Sequence, residues 1–220
     1  MNNLIRKDFL LLINYIITCI PISAFLVIIF TPHYPYYGYG MAAVAVAFTL
    51  TLSVPSLEAR NHTDVIVNSL PVLRTEVIQA KYLSAFVFVI LAVLIVALVG
   101  LLAHLLPLPW VVPFITWPNI FIAFISMALI ISFYYPIFYK FYNNTIVLFT
   151  NIILFQFFFF MPSYIESFFN NHHDDLRVRQ LLLLMVQSPW VLPVLGVGFA
   201  ALLLLVSYHL TLKIYSHRDF

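Results

Sequence analysis

Residues 82–106 read YLSAFVFVILAVLIVALVGLLAHLL, with no Asp, Glu, Lys or Arg among them. About 20 mainly apolar residues, rising 1.5 Å each, cross the roughly 30 Å hydrocarbon core of a bilayer. This stretch is long enough to do so, and its apolar residues are continuous rather than alternating. Lipid offers no partner to an open backbone N–H or C=O, so a continuous run of this kind predicts a helix and excludes a barrel strand. Five further windows qualify, at 9–31, 39–57, 117–139, 144–165 and 189–212. The chain is 220 residues long, 64% hydrophobic and 8% charged, with a mean hydropathy of +1.04. A soluble domain carries about 25% charged residues. So few charges cannot cover a water-facing surface, and the bilayer is this protein's solvent.

Arg6 and Lys7 ahead of an apolar stretch suggest a signal peptide. The stretch from Phe9 to Phe30 exceeds the 7–15 residues of a signal core, and no Ala-x-Ala site follows it. It reads as a retained first span. The net charge of +2 and the lack of any Lys/Arg-rich run give no reason to expect nucleic acid. Cys19, the lone cysteine, has no partner for an intramolecular disulfide. No internal repeat or soluble insertion breaks the pattern, so residues 1–220 read as one membrane domain.

Six spans place both termini on one side, and Lys and Arg choose that side. With the termini in the cytoplasm, Arg6, Lys7, Arg60, Arg74, Lys81, Lys140, Lys213 and Arg218 lie inside, and only Arg177 and Arg179 lie outside. Trp110, Trp117 and Trp190 fall at the outer ends of spans, with Tyr34, Tyr36, Tyr37 and Tyr39 near the first outer loop. Amphipathic rings prefer that interface. Between the fifth and sixth windows, residues 166–188 turn from polar (Asn170, Asn171, His172, His173, Asp174, Asp175) to apolar at 181–186. That run is too short to cross, which predicts an outer interfacial or re-entrant helix, capped by Asp174 or Asp175 and ended by Pro189.

Between the second and third spans, residues 58–81 read EARNHTDVIVNSLPVLRTEVIQAK. They hold Glu58, Arg60, Asp64, Arg74, Glu76 and Lys81, a third of the chain's charged residues. Leu70 precedes Pro71, which disfavours helical angles there. The spacing upstream predicts a short helix over 58–68 that gathers His62, Val65, Ile66 and Leu70 on one face. An apolar face ringed by charge suits docking into a protein groove, although a solvated loop obeying the orientation rule has the same composition.

An acidic residue at the end of the second span (Glu58), then Asp64, Ser69-Leu70-Pro71, Arg74 and Lys81-Tyr82-Leu83 form a pattern that resembles the permease subunits of ABC-2 type transporters. The six-span plan extends the resemblance over nearly the whole chain. It is most similar to small bacterial permeases exporting peptides, such as bacitracin-resistance and phenol-soluble-modulin exporters. The resemblance implies several things. A plasma-membrane exporter uses a coupling helix at 58–68 to dock on a separate ABC ATP-binding subunit. Glu58, His62, Asp64, Val65, Ile66, Leu70 and Arg74 serve that contact, and Arg74, Glu76 and Lys81 anchor the segment's exit at the membrane surface. ATP and Mg2+ belong to the partner. The substrate is amphipathic or hydrophobic, a peptide or antibiotic being candidates, and two copies, or this chain and a sibling permease, form the pathway.

None of the glycines at 38, 40, 100, 196 and 198 begins a phosphate-binding loop, so ATP hydrolysis by that route is excluded. No catalytic residues are expected. The His172–Asp175 run lacks a spacing suited to one metal ion, and no metal or cofactor is expected. Asn14, Thr18, His104, Asn151, Gln156 and His209 are polar residues within spans. Such residues are costly in lipid and often functional. Asn14, Asn151 and Gln156 are candidates for the pathway, or for ordinary bonds between helices. An intramembrane enzyme and a non-transporting immunity or sensor protein remain open alternatives.

Overall fold

A computed structural model describes residues 2–34, 37–61, 73–105, 115–141, 144–172 and 190–217. Six α-helices account for nearly all of them: α1 (Asn2–His33), α2 (Gly38–Arg60), α3 (Arg74–Leu105), α4 (Trp117–Phe141), α5 (Asn144–Asn171) and α6 (Val191–Ser216). Among the described residues all six are long and apolar enough to cross a membrane. The expected windows are each found within or across one helix. Several helices run further than the windows: α1 starts at Asn2 rather than residue 9, and α3 at Arg74 rather than 82. In these extensions Lys7 and Asp8 of α1 and Arg74 of α3 find partners on other helices.

The second helix is the centre of the bundle. Of its most apolar window 72% is buried, against 17% in α5 and α6. It packs on α1, α3, α4 and α5. Its sequence explains this: GYGMAAVAVAFTLTLSVPS is rich in Gly, Ala, Ser and Thr, small residues that let backbones approach closely where lipid provides no hydrophobic drive. Thr49, Ser53 and Ser56 return their hydroxyls to the carbonyls of Ala45, Thr49 and Leu52, so none needs an outside partner.

Two glycines are fixed by these approaches. A Cβ on Gly38 would lie 2.9 Å from the carbonyl oxygen of Phe30, at the tight turn from α1 to α2. A Cβ on Gly100 of α3 would lie 2.5 Å from a ring carbon of Tyr39, itself fully buried. Overpacking a filled core typically costs about 1–3 kcal/mol. Gly100→Val is therefore expected to lower the midpoint of thermal unfolding in detergent, with an unchanged midpoint counting against this packing.

Contacts fix how the helices run. At one end, the start of α1 meets the end of α2 and the start of α3 through Lys7, Asp8, Glu58 and Lys81. Arg74 of α3 meets Ser216 of α6, and Tyr139 of α4 packs edge-on to Tyr215 of α6. At the other end, Asn119 of α4 meets Gly40 of α2, and Phe121 meets Trp190. α1 to α4 therefore alternate in direction and α6 runs parallel to α4, with the first helix starting and the last ending at the same end. Tyr34, Tyr37, Trp117 and Trp190 lie at the opposite end, as the aromatic pattern predicts. On α5, Phe157 is exposed while Phe158 and Phe159 are buried, so consecutive aromatic rings face both outward and into the bundle.

The predicted outer helix, its cap at Asp174 or Asp175, and Pro189 lie outside the described residues. So do Pro71 and most of the docking stretch. The part of that stretch that is described, Glu58 to Arg60, is the last turn of α2 rather than the start of a separate helix.

Candidate functional site

The two roots of the polar segment are tied together inside the protein. Glu58 is in the last turn of α2, and Lys81 is two turns into α3. The Lys81 ammonium donates to Glu58 Oε1 at 2.6 Å and to Asp8 Oδ1 of α1 at 2.9 Å. Lys7, beside Asp8, donates to the same Glu58 oxygen and stands 3.6 Å from Asp8. Ser84 donates to the second Asp8 oxygen at 2.9 Å. Two carboxylates thus face two ammonium groups, and the cluster is neutral.

Burial makes this pairing obligatory. Asp8 is 1% exposed and Lys81 5%, and an unpaired buried charge is strongly destabilising. Glu58 sits in the last turn of a helix, where the macrodipole disfavours an anion; the two lysines offset that. Lys81, expected to anchor the segment's exit, is buried within the protein, where Asp8 and Glu58 supply its counter-charge in place of hydration.

A second set of bonds extends the knot to α4 and α6. Tyr135 of α4 donates its hydroxyl to the carbonyl of Lys81 at 3.2 Å. The Tyr82 hydroxyl bonds Ser207 at 2.6 Å and Thr211 at 3.0 Å, both on α6. The Tyr82 ring stands edge-on to Tyr135 and Tyr208. Gln79 donates to the Tyr208 hydroxyl at 3.2 Å. Arg74 donates to the carbonyl of Ser216 at 2.6 Å, satisfying an end carbonyl that α6 cannot satisfy itself. The first three turns of α3 thus hold α1, α2, α4 and α6 at one end of the bundle. This is the end from which residues 61–73 emerge.

A family model described as ABC-2 family transporter protein matches residues 3–216. The chain belongs to the ABC-2 transporter family. The family consists of membrane transport components that work with an ATP-binding subunit. No match was found among curated proteins or among solved structures.

In this ABC-2 protein the candidate docking residues divide in two. Glu58 and Arg74 are described, and both are turned to the bundle, Glu58 to the lysines and Arg74 to the end of α6. His62, Asp64, Val65, Ile66 and Leu70 lie outside the described residues. Glu76 is half-buried at the start of α3. The candidate pathway residues do not bond one another. Asn14 on α1 and Gln156 on α5 are exposed. Asn151 on α5 is half-buried, and its side-chain oxygen is buried without a partner. Among the described residues, Asn14 and Gln156 make no hydrogen bond to another helix, and Asn151 lies beside Tyr134 of α4. Thr18 returns its hydroxyl to Tyr15.

Asp8 was missed by sequence reasoning. Next to Lys7, ahead of an apolar run, it passes for part of an orienting flank. The available signal was charge balance: an acid and a base flank the first span, and another acid and base bracket the polar segment.

Proposed function

We propose that this chain is the permease subunit of an ATP-driven exporter, coupled to a separate ATP-binding subunit through the segment between α2 and α3. The observation that carries this reading is the knot at the segment's roots. Glu58 and Lys81 are 23 residues apart in sequence, yet their side chains bond inside the protein. A surface loop with only an orienting role needs no such foundation. A segment that receives force from a partner does, because a load on it must reach the helices rather than bend the loop.

The docking face is His62, Val65, Ile66 and Leu70, with Asp64 beside it, while Glu58 and Arg74 root the segment. The partner holds ATP and Mg2+. Asn14 and Gln156 support a dimer. Exposed amides in hydrocarbon are costly, and a second copy or a sibling permease would meet them across an interface lined by α1 and α5. In this reading Asn151, on the same helix, belongs to the pathway for an amphipathic or hydrophobic substrate, a peptide exporter's cargo being the leading candidate. The setting is a bacterial plasma membrane with both termini inside.

The reading is tested by purifying the tagged chain in mild detergent from its own membranes. An ATP-binding subunit is expected to come with it, and magnesium-dependent ATP hydrolysis with that subunit. Purification alone and without hydrolysis would favour the immunity or sensor alternative. Orientation is tested at the exposed end of α5: Asn171→Cys is expected to react with a membrane-impermeant maleimide added outside the cell. Protection there in intact cells, with reaction after lysis, would reverse the topology. Cys19 is buried and adds no background.

A further inference from the structure

We infer that Asp8 and Lys81 form a rigid joint that makes α1 move with the docking segment. This rests on the functional reading above. The inner end of α1 has no covalent connection to residues 61–73; it reaches α2 only through the turn at the opposite end of the bundle. α2 and α3, by contrast, run directly into the segment. Any movement of the segment must therefore cross to α1 through side chains.

Two kinds of contact are available. One is apolar packing, such as Phe9 of α1 on Phe88 of α3, with ring centres 5.1 Å apart. Such packing is non-directional and tolerates sliding. The other is the ion cluster, whose bonds are short and directional. Lys81 bonds Asp8 at 2.9 Å and Glu58 at 2.6 Å, and Ser84 holds the far oxygen of Asp8 at 2.9 Å. Asp8 thus takes bonds from two residues of α3 one turn apart, which fixes the register of α1 as well as its distance. Opening this joint would strand charges that are almost fully buried. It is consequently a joint that stays closed while the helices it ties move together. Lys81 and Asp8 are positioning residues: they touch no substrate and act through α1.

The test uses the full chain assembled with its ATP-binding subunit in lipid vesicles, in a Cys19→Ala background. Spin labels are placed at Ile17→Cys on α1 and Ile153→Cys on α5, a helix the knot does not hold among the described residues, both exposed. A non-hydrolysable ATP analogue is expected to change the distance between the labels. In Asp8→Asn/Lys81→Met that change is expected to fall by more than half while the ATP-binding subunit stays bound. Removing both members of a buried pair is often neutral for stability, so the double variant separates coupling from folding. Asp8→Asn alone, which keeps the side chain's shape, is the second variant and is read in the same way. An equal change in variant and parent, or no change in the parent complex, overturns the joint. Failure of the parent chain to assemble with any ATP-binding subunit overturns the functional reading itself, and the joint with it.

Discussion

Lys81→Met will be among the most damaging single substitutions in this protein, expected to cost about 3–5 kcal/mol, the range for removing one partner of a buried ion pair. The structure gives the reason. Lys81 bonds both carboxylates closely, at 2.9 Å to Asp8 and 2.6 Å to Glu58. Without it the cluster holds two carboxylates and one ammonium. Lys7 then has to serve both, and it stands 3.6 Å from Asp8. Asp8 is left with Ser84 as its remaining close partner, in a site with almost no access to water. Methionine fills the volume of the lysine stem, so the loss measures charge rather than a cavity. The readouts are the yield of folded protein and the midpoint of thermal unfolding in detergent. A second substitution, Asp8→Asn, in the same chain is expected to recover much of the loss, because it removes the stranded charge. If the single and double variants melt alike and close to the parent, the cluster is not a paired buried site.

Acidic substitutions on the docking face will separate the permease from its ATP-binding subunit. Burying one side chain of the size of Val, Ile or Leu contributes about 1.5–3 kcal/mol, and the sequence spacing predicts three such residues, Val65, Ile66 and Leu70, on one face. Replacing all three with Asp removes that contribution and adds desolvation of three carboxylates. Each 1.4 kcal/mol is a tenfold change in affinity, so recovery of the ATP-binding subunit with the tagged chain is expected to drop at least about 100-fold. The bundle itself should be unaffected, since Glu58, Lys81 and Arg74 still root the segment. An unchanged melting midpoint is the control for this. Undiminished co-purification and transport would remove the docking role from this face.

Much of the fold was legible in the residues, for a physical reason. In lipid each crossing must satisfy its own backbone, so a continuous apolar run such as 82–106 has one solution. Helix ends were less legible. Charges at Lys7, Asp8, Glu58 and Lys81 read as the water-facing limits of spans, because a charge is normally placed in water. Here they neutralise one another across three helices, and that pairing depends on positions far apart in sequence. The enclosure of α2 had a signal that hydropathy hides. Its mean hydropathy, 1.7, is the lowest of the six spans, yet it is the most buried, because small residues decide which helix others can approach. The 58–81 segment stood out by its charge and by Pro71. The inward turn of Glu58, Arg74 and Lys81 was not legible, since a loop's charges look alike until their partners are placed.

The claim that residues 61–73 meet an ATP-binding subunit is tested most directly by attaching a photoreactive group to Ile66→Cys in native membranes. The account predicts a light-dependent adduct between this chain and an ATP-binding polypeptide. Adducts to lipid alone, in membranes that contain the ATP-binding subunit, would contradict it.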